Sequence, residues 1–361
     1  MNILLVSNMY PSLQYPYYGI FVKNCQVMLL NVGFSIDHCV IQKTSSLGEK
    51  IRAYSSFFAS TFFCYHFNKY HVVYIHYISH SFAPLVFSFF HKRNKILLHI
   101  HGGDILKQKE VSSFFFTIKL LIARLAMMRA DGIIVPSNYY KKLLIERFHV
   151  SPDLINVVAS GGVDRSIFHP NFSNESKVFT IGYIGRLDHG KGVETLIKSI
   201  AILSKTINAM QCIIVGDGAL KKELEFFVRS LGLKDVIAFL GAKTQTTLPQ
   251  IISKFDIFVF PTERDSESLG LVGLEAMACG VPVIGSKIGG LQDYIINDQN
   301  GYFFEPGNSD DLSRKIFMFS QLSKIDKNRL SQGALNTAKR YDSITENEKL
   351  LKIIKDLSHE T

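Results

Sequence analysis

Eleven short apolar runs, separated by longer amphipathic stretches, divide this 361-residue chain into two series. The first series is NILLVS, SIDHCVIQ, HVVYIHY, KILLHI and DGIIVPS. The second begins after residue 176 with VFTIGYIG, QCIIVGDG, VIAFLGA, DIFVFPT and VPVIGS, and a short GYFFEPG segment follows. Strands that alternate with helices imply an α/β fold with a parallel, doubly wound sheet. Two series imply two such domains, which suits a length beyond one ordinary core. The segment between them, SGGVDRSIFHPNFSNESK, is rich in Gly, Ser, Asn and Pro and reads as a linker. The expected domains are therefore 1–165 and 176–340, with a last helix, ITENEKLLKIIKDL, in the tail 341–361. Open sheets of this kind bind ligands beyond the carboxyl ends of their strands.

Charge is divided unevenly. Residues 1–160 carry 16 Lys+Arg against 7 Asp+Glu, and residues 161–361 carry 24 against 24. The basic half also holds AYSSFFASTFFCYHFNKY, FSFFHKRNK and SSFFFTIKLLIARLAMMR, where aromatic residues stand beside Lys and Arg. That pairing suits an anionic membrane surface. No nucleic-acid motif accompanies the charge, so nucleic acid is not an expected partner. The five cysteines (25, 39, 64, 212 and 279) are scattered and form no C-x-x-C, which points to a reducing compartment. MNILLVSNMY reads as a first strand and not as a signal peptide. Residues 72–90 lack formal charge, but His76, His80 and Pro84 make a strand and a following helix the better reading than a membrane span.

Most of the chemistry concentrates in Ser266 to Tyr294, SESLGLVGLEAMACGVPVIGSKIGGLQDY. Glu267 and Glu275 stand eight positions apart. LGLVGLEAMA reads as a helix ended by Gly280 and Pro282. Its N-terminus, at Gly270, Leu271 and Val272, offers unpaired N–H groups that suit a phosphate. Glu275 lies five residues on, about 7.5 Å along the axis, where a carboxylate could accept from both hydroxyls of a ribose.

Upstream, GYIGRLDHGKG presents Arg186 and Lys191. Gly185 to Lys191 fits the G-x-x-x-x-G-K frame of a P-loop, but Gly192 occupies the place of its magnesium-binding Ser or Thr. LLHIHGGDIL carries His99 and His101 on one face of a strand, with Asp104 beyond. With His76 these could suggest zinc, but no ligand spacing fits and no Cys lies near. Gly19 opens a helix after the first strand, and Gly216-Asp217-Gly218 makes a turn after another.

These motifs, in this order over nearly the whole chain, resemble those of the family 4 (group 1) retaining glycosyltransferases. The segment at 267–275 is similar to their E-x7-E signature, GRLDHGKG to their G-R-x-x-x-x-K-G and HGGD to their H-G-x-D. The resemblance implies a GT-B fold, two Rossmann-like domains facing a cleft, and a last helix that crosses back to the first domain. It implies that Glu275 binds the donor ribose, Glu267 the donor sugar, and Arg186 and Lys191 the diphosphate. By the same analogy His101 lies at the sugar's edge, Gly19 lets backbone approach the β-phosphate and the acceptor, and Gly216 lies near the nucleotide. The expected substrate is a UDP-, GDP- or ADP-sugar, with no metal and no separate cofactor. The expected acceptor is a lipid-linked sugar of cell-surface polysaccharide synthesis at the inner membrane face. A sugar-nucleotide epimerase and a non-catalytic nucleotide-sugar-binding subunit are the alternatives. Three positions depart from the family pattern: Ser160-Gly161-Gly162 replaces Asn-Gly, Asp293 replaces Glu, and Ile344 stands where an aromatic is usual.

Overall fold

The computed structural model describes residues 1–15, 18–88, 94–107, 112–171 and 178–359. Parts of the sequence features therefore lie outside the described residues, notably 89–93 of the basic segment and 172–177 of the linker. The chain divides into two compact units, one of residues 1–161 with 345–361 and the other of residues 162–344.

Among the described residues the first unit contains six parallel strands: β1 (Asn2–Tyr10), β2 (Ser35–Gln42), β3 (Val72–His76), β4 (Lys95–His99), β5 (Gly132–Val135) and β6 (Ile155–Val157). Their order in the sheet is β2-β1-β3-β4-β5-β6. The chain reverses direction of winding between β1 and β3, so a ligand crevice is expected at their carboxyl ends. The three-residue INV of β6 is too short and too polar to stand out in sequence. After β3 the chain makes two short helical turns, Ile78–Ser81 and Ala83–Ser88, instead of one helix. Pro84 has no N–H to continue the first turn. Among the described residues no helix is long and apolar enough to cross a membrane.

The Ser343–His359 helix supplies part of this unit's core. Its Leu350, Ile354 and Leu357 are buried with Ile3, Leu5, Leu97 and Ile134. Its Glu346, 2% exposed, accepts the Ala159 N–H at 2.6 Å and pairs with Lys349. A buried carboxylate is tolerated because both kinds of partner are present. Ile344, where the family shows an aromatic, is exposed.

The second unit is also built on a parallel sheet, of β7 (Phe179–Ile184), β8 (Met210–Val215), β9 (Ile237–Gly241), β10 (Ile257–Phe260), β11 (Val283–Ser286) and β12 (Gly301–Phe304). The order is β12-β11-β10-β7-β8-β9, all parallel. This is the Rossmann order, with its switch point between β7 and β10. The loops leaving those two strands carry Arg186, Lys191 and Glu267.

Candidate functional site

In the second unit the loops at the switch point are clasped together by glycines. Gly192 has φ +69° and precedes the Val193–Leu203 helix; a Cβ there would lie 1.7 Å from the Pro261 carbonyl oxygen. A Ser or Thr cannot occupy that place, so the P-loop frame is disqualified by packing as well as by chemistry. The Glu263 N–H donates to the Gly190 oxygen, and the Arg264 guanidinium donates to the His189 carbonyl oxygen. Thr195 Oγ1 donates to Glu263 Oε1 at 2.8 Å. The loop after β7 is thereby held by the end of β10.

A second clasp fixes Arg186. A Cβ on Gly216 would meet the Gly185 carbonyl oxygen at 1.8 Å, and one on Gly218 the Leu187 oxygen at 2.4 Å. The Leu187 N–H donates to the Asp217 oxygen, and the Ala219 N–H to Asp188 Oδ1. The Gly-Asp-Gly turn is thus the scaffold of the arginine loop. Arg186 itself pairs with Asp188 and leaves its side chain 76% exposed. The Tyr183 hydroxyl donates to the Arg186 carbonyl at 2.9 Å, and burial, then Glu267, push its pKa up.

Lys191 is placed differently. Its Nζ lies 2.7 Å from Glu267 Oε2, and both side chains are mostly buried. The Thr262 hydroxyl donates to the same oxygen at 3.1 Å. The two charges called for by the sequence motifs, 76 residues apart, are therefore one ion pair across the switch point. Sequence reading treats Arg186 and Lys191 as equivalent cations, and the structure does not. Thr262 escapes sequence reading; its only signal is its place at the end of the DIFVFPT run.

Behind Glu267, Gly289-Gly290 supports the loop. A Cβ on Gly290 would lie 2.0 Å from the Ser268 oxygen, and the Gly290 N–H donates to the Glu267 carbonyl. The next helix is Leu271–Ala278, starting two residues later than its apolar run because Gly270 adopts φ +75°. Leu271 and Val272 open it, and their amides have no intrahelical acceptor. Tyr294 explains Gly273, since a Cβ there would meet its hydroxyl oxygen at 2.3 Å; that hydroxyl donates to the Gly270 oxygen. Glu275 is half-buried within the helix. Burial pushes its carboxyl up to about 7, against a hydrogen bond from Gln245. Gly280, at φ +82°, ends the helix.

In the first unit the strand ends beside the β1/β3 switch carry histidines. His76 is the register partner of His99 on β4, and His101 lies two residues beyond. Cross-strand adjacency, invisible in linear spacing, brings the three together with nitrogens within 4.8 Å. Their rings do not converge. Ring pairs lie only 17°, 19° and 32° out of parallel, so lone pairs in the ring planes do not aim at one tetrahedral centre. The group is a hydrogen-bonded stack. His76 Nδ1 and His101 Nε2 are 3.0 Å apart, and Tyr74 Oη and His99 Nδ1 are 2.7 Å apart. Burial drives His99 down to about 3 and holds His76 and His101 well below the imidazole range, so all three are neutral at pH 7.

Asp104 is fully buried and accepts the N–H groups of His101 and Ile78; burial raises it to about 6. Gly19, at φ +73°, caps the Ile20–Asn31 helix, and a Cβ there would meet the Met9 carbonyl at 2.6 Å. The following Phe21 packs on His101 with ring centroids 4.6 Å apart, so Gly19 and His101 belong to one corner of the unit.

Two family models cover this architecture. Residues 164–337 match group 1 glycosyl transferases, and residues 40–166 match glycosyltransferase family 4. Together the two matches span residues 40–337, and both are to glycosyltransferases. Similar proteins include an uncharacterized glycosyltransferase of Methanocaldococcus jannaschii, 32% identical over 61% of this chain and 57% of that protein. The capsular polysaccharide biosynthesis glycosyltransferase CapM of Staphylococcus aureus is 29% identical over 58% of each. The matches span 39–58% of the length of the first five curated relatives. The sucrose-phosphate synthase of Thermosynechococcus elongatus superposes with a TM-score of 0.81 over the full length of both chains at 20% identity. Anabaena HepE, solved in complex with UDP, gives 0.74 over 99% of this chain and 100% of its own at 22% identity. The fold is GT-B.

Proposed function

We propose that this protein is a retaining glycosyltransferase that moves a hexose-type sugar from a nucleotide diphosphate to an acceptor hydroxyl without a metal. The observation that carries the reading is the Lys191–Glu267 pair at the switch point, followed closely in sequence by the glycine-opened helix that bears Glu275. Breaking the anomeric C–O bond leaves negative charge on the β-phosphate. Lys191, Arg186 and the amides of Leu271 and Val272 are preorganised groups that stabilise such charge. Glu275 accepts from the ribose hydroxyls, and Glu267, held in place by Lys191 and Thr262, accepts from the sugar. The acceptor oxygen bonds to the anomeric carbon on the face from which the diphosphate departs, and the acceptor's proton passes to a phosphate oxygen. The protein contributes position and field.

HepE was solved with UDP and with UDP-glucose, which makes UDP-sugars the first donors to try. The likeness to CapM supports an acceptor in polysaccharide synthesis. Docking on the inner face of the cell membrane is supported by exposed Phe58, Phe62, Phe63 and Phe67 on the Leu47–Phe67 helix. Phe114 and Phe115 on the Ser113–Arg129 helix are exposed as well. Lys50, Arg52, Lys119 and Arg124 belong to the same two helices.

The test is transfer of labelled sugar from UDP-, GDP- or ADP-sugars into a membrane lipid fraction, with EDTA present. The reading expects labelled lipid at the same rate with and without chelator. Loss of transfer restored by Mn²⁺ contradicts metal independence, and an epimerised free nucleotide sugar without transfer contradicts the reaction.

A further inference from the structure

The histidine stack contains one proton whose position can be worked out. His76 Nδ1 faces His101 Nε2 at 3.0 Å, and burial keeps both rings neutral. One nitrogen must therefore donate and the other accept. His76 is 1% exposed, and its other nitrogen, Nε2, has no hydrogen-bond partner. A proton on that Nε2 would be a buried donor aimed at nothing, which is the rarer and costlier defect; a bare lone pair is the milder one. The proton of His76 is thus on Nδ1 and is donated to His101 Nε2. His101, neutral and already accepting at Nε2, carries its own proton on Nδ1. His99 repeats the logic: its Nε2 is also buried without a partner, so its proton sits on Nδ1 and is given to the Tyr74 oxygen.

We propose that His76 is a positioning residue that fixes His101 as the Nδ1–H tautomer, so that His101 acts as a hydrogen-bond donor and not as a base at Nε2. This is the opposite of the tautomer a free histidine favours, so the stack imposes it. His101 is the one member of the three that is not fully buried, and it is the one assigned to substrate. The proposal rests on that assignment only for its catalytic meaning. A donor at the sugar's edge agrees with a mechanism in which the departing phosphate, and no side chain, takes the acceptor's proton.

Long-range ¹H–¹⁵N spectra of the full chain labelled at histidine separate protonated from bare ring nitrogens, with His101→Gln to assign the signals. The expected result is a bare Nε2 and a protonated Nδ1 on His101; a protonated Nε2 overturns the proposal in the wild-type protein itself. In His76→Leu the His101 signals should shift toward the Nε2–H form, and kcat should fall about fivefold to tenfold, the size of one lost hydrogen bond. His76→Asn, whose side-chain amide places a donor near the position of Nδ1, should restore both. Unchanged His101 signals in folded His76→Leu overturn the positioning role. If the spectra agree while His101→Phe transfers sugar at the wild-type rate, the tautomer assignment stands and the catalytic reading of His101 falls.

Discussion

Each unit is built on a parallel sheet with a switch point, and the two solve opposite electrostatic problems. The second unit gathers charge at its switch point: Lys191 against Glu267, Arg186 against Asp188, and a helix N-terminus nearby. The first unit places at the same topological position a stack of imidazoles that burial keeps neutral. Their surfaces differ in the other direction. Residues 161–361 are neutral overall, while residues 1–160 are strongly basic. Among the described residues the first unit exposes seven phenylalanines and the second two. A unit that stabilises a developing anion needs fixed charge inside. Under the proposed function the first unit positions a neutral hydroxyl at a lipid surface, which calls for neutral donors inside and charge outside.

The largest expected effects lie in the second unit. Lys191→Ala should lower turnover by about 10²-fold or more, as loss of one preorganised donor commonly does, and Glu275→Ala, which removes the acceptor for the ribose hydroxyls, should lower it by a similar factor. Arg186→Ala should fall in the same direction but by less than Lys191→Ala, because Arg186 is largely exposed while Lys191 is buried in its pair. Steady-state kcat on variants with wild-type thermal unfolding decides this. An Arg186 effect larger than that of Lys191 would break the distinction between the two cations.

Next in size is the glycine clasp. Gly192→Ser, which restores the P-loop consensus, should destabilise the second unit by about 2 kcal/mol or more, since it combines a left-handed φ with overlap onto the Pro261 carbonyl. Thermal melts check it, and a wild-type melting temperature would refute the packing account of this loop.

A smaller, pH-dependent effect belongs to Glu275. Its folded pKa of about 7 lies above the ordinary 4.5, so the folded chain binds this proton more tightly than the unfolded one. The stability it contributes is complete below about pH 4.5 and fades as pH rises through 7. Glu275→Gln should therefore gain in melting temperature over the wild type between pH 5 and pH 8. Donor affinity should move the other way, rising with pH in the wild type and flat in Glu275→Gln. Equal melting differences at pH 5 and pH 8 would refute the buried-carboxyl account.

The smallest effect tests the outer contrast. Phe63→Ser with Phe67→Ser should weaken sedimentation with phosphatidylglycerol vesicles while leaving melting unchanged. Binding by the wild type should fall as salt shortens the Debye length from about 10 Å at 0.1 M to about 3 Å at 1 M. No binding to anionic vesicles at low salt would remove the membrane from the account.

Much of this was legible in the sequence, because period and punctuation are local. The alternating apolar runs mark the strands of both sheets except β6, and Gly280 with Pro282 marks a helix end. What escaped was set by distant contacts. The pairing of Lys191 with Glu267 joins residues 76 positions apart. The His76–His99 register depends on which strands are neighbours, so spacing rules for metal ligands could not see the stack. Gly216 and Gly218 read as a plain turn until the Gly185 and Leu187 carbonyls behind them supplied the reason for two glycines. The Leu271–Ala278 helix starts late because Gly270 takes a left-handed conformation that hydrophobicity does not encode.

The central claim is that the second unit binds a nucleotide sugar through Lys191, Glu267 and Glu275. Its most direct test is thermal unfolding of the full chain with UDP-glucose and other UDP-, GDP- and ADP-sugars, in EDTA, beside Lys191→Ala and Glu275→Ala. The account predicts that at least one sugar nucleotide stabilises the wild type, by about 2.7 kcal/mol at 100 times its Kd, and that both variants lose most of that gain. Absence of stabilisation by every donor, or an equal gain in the two variants, would contradict it.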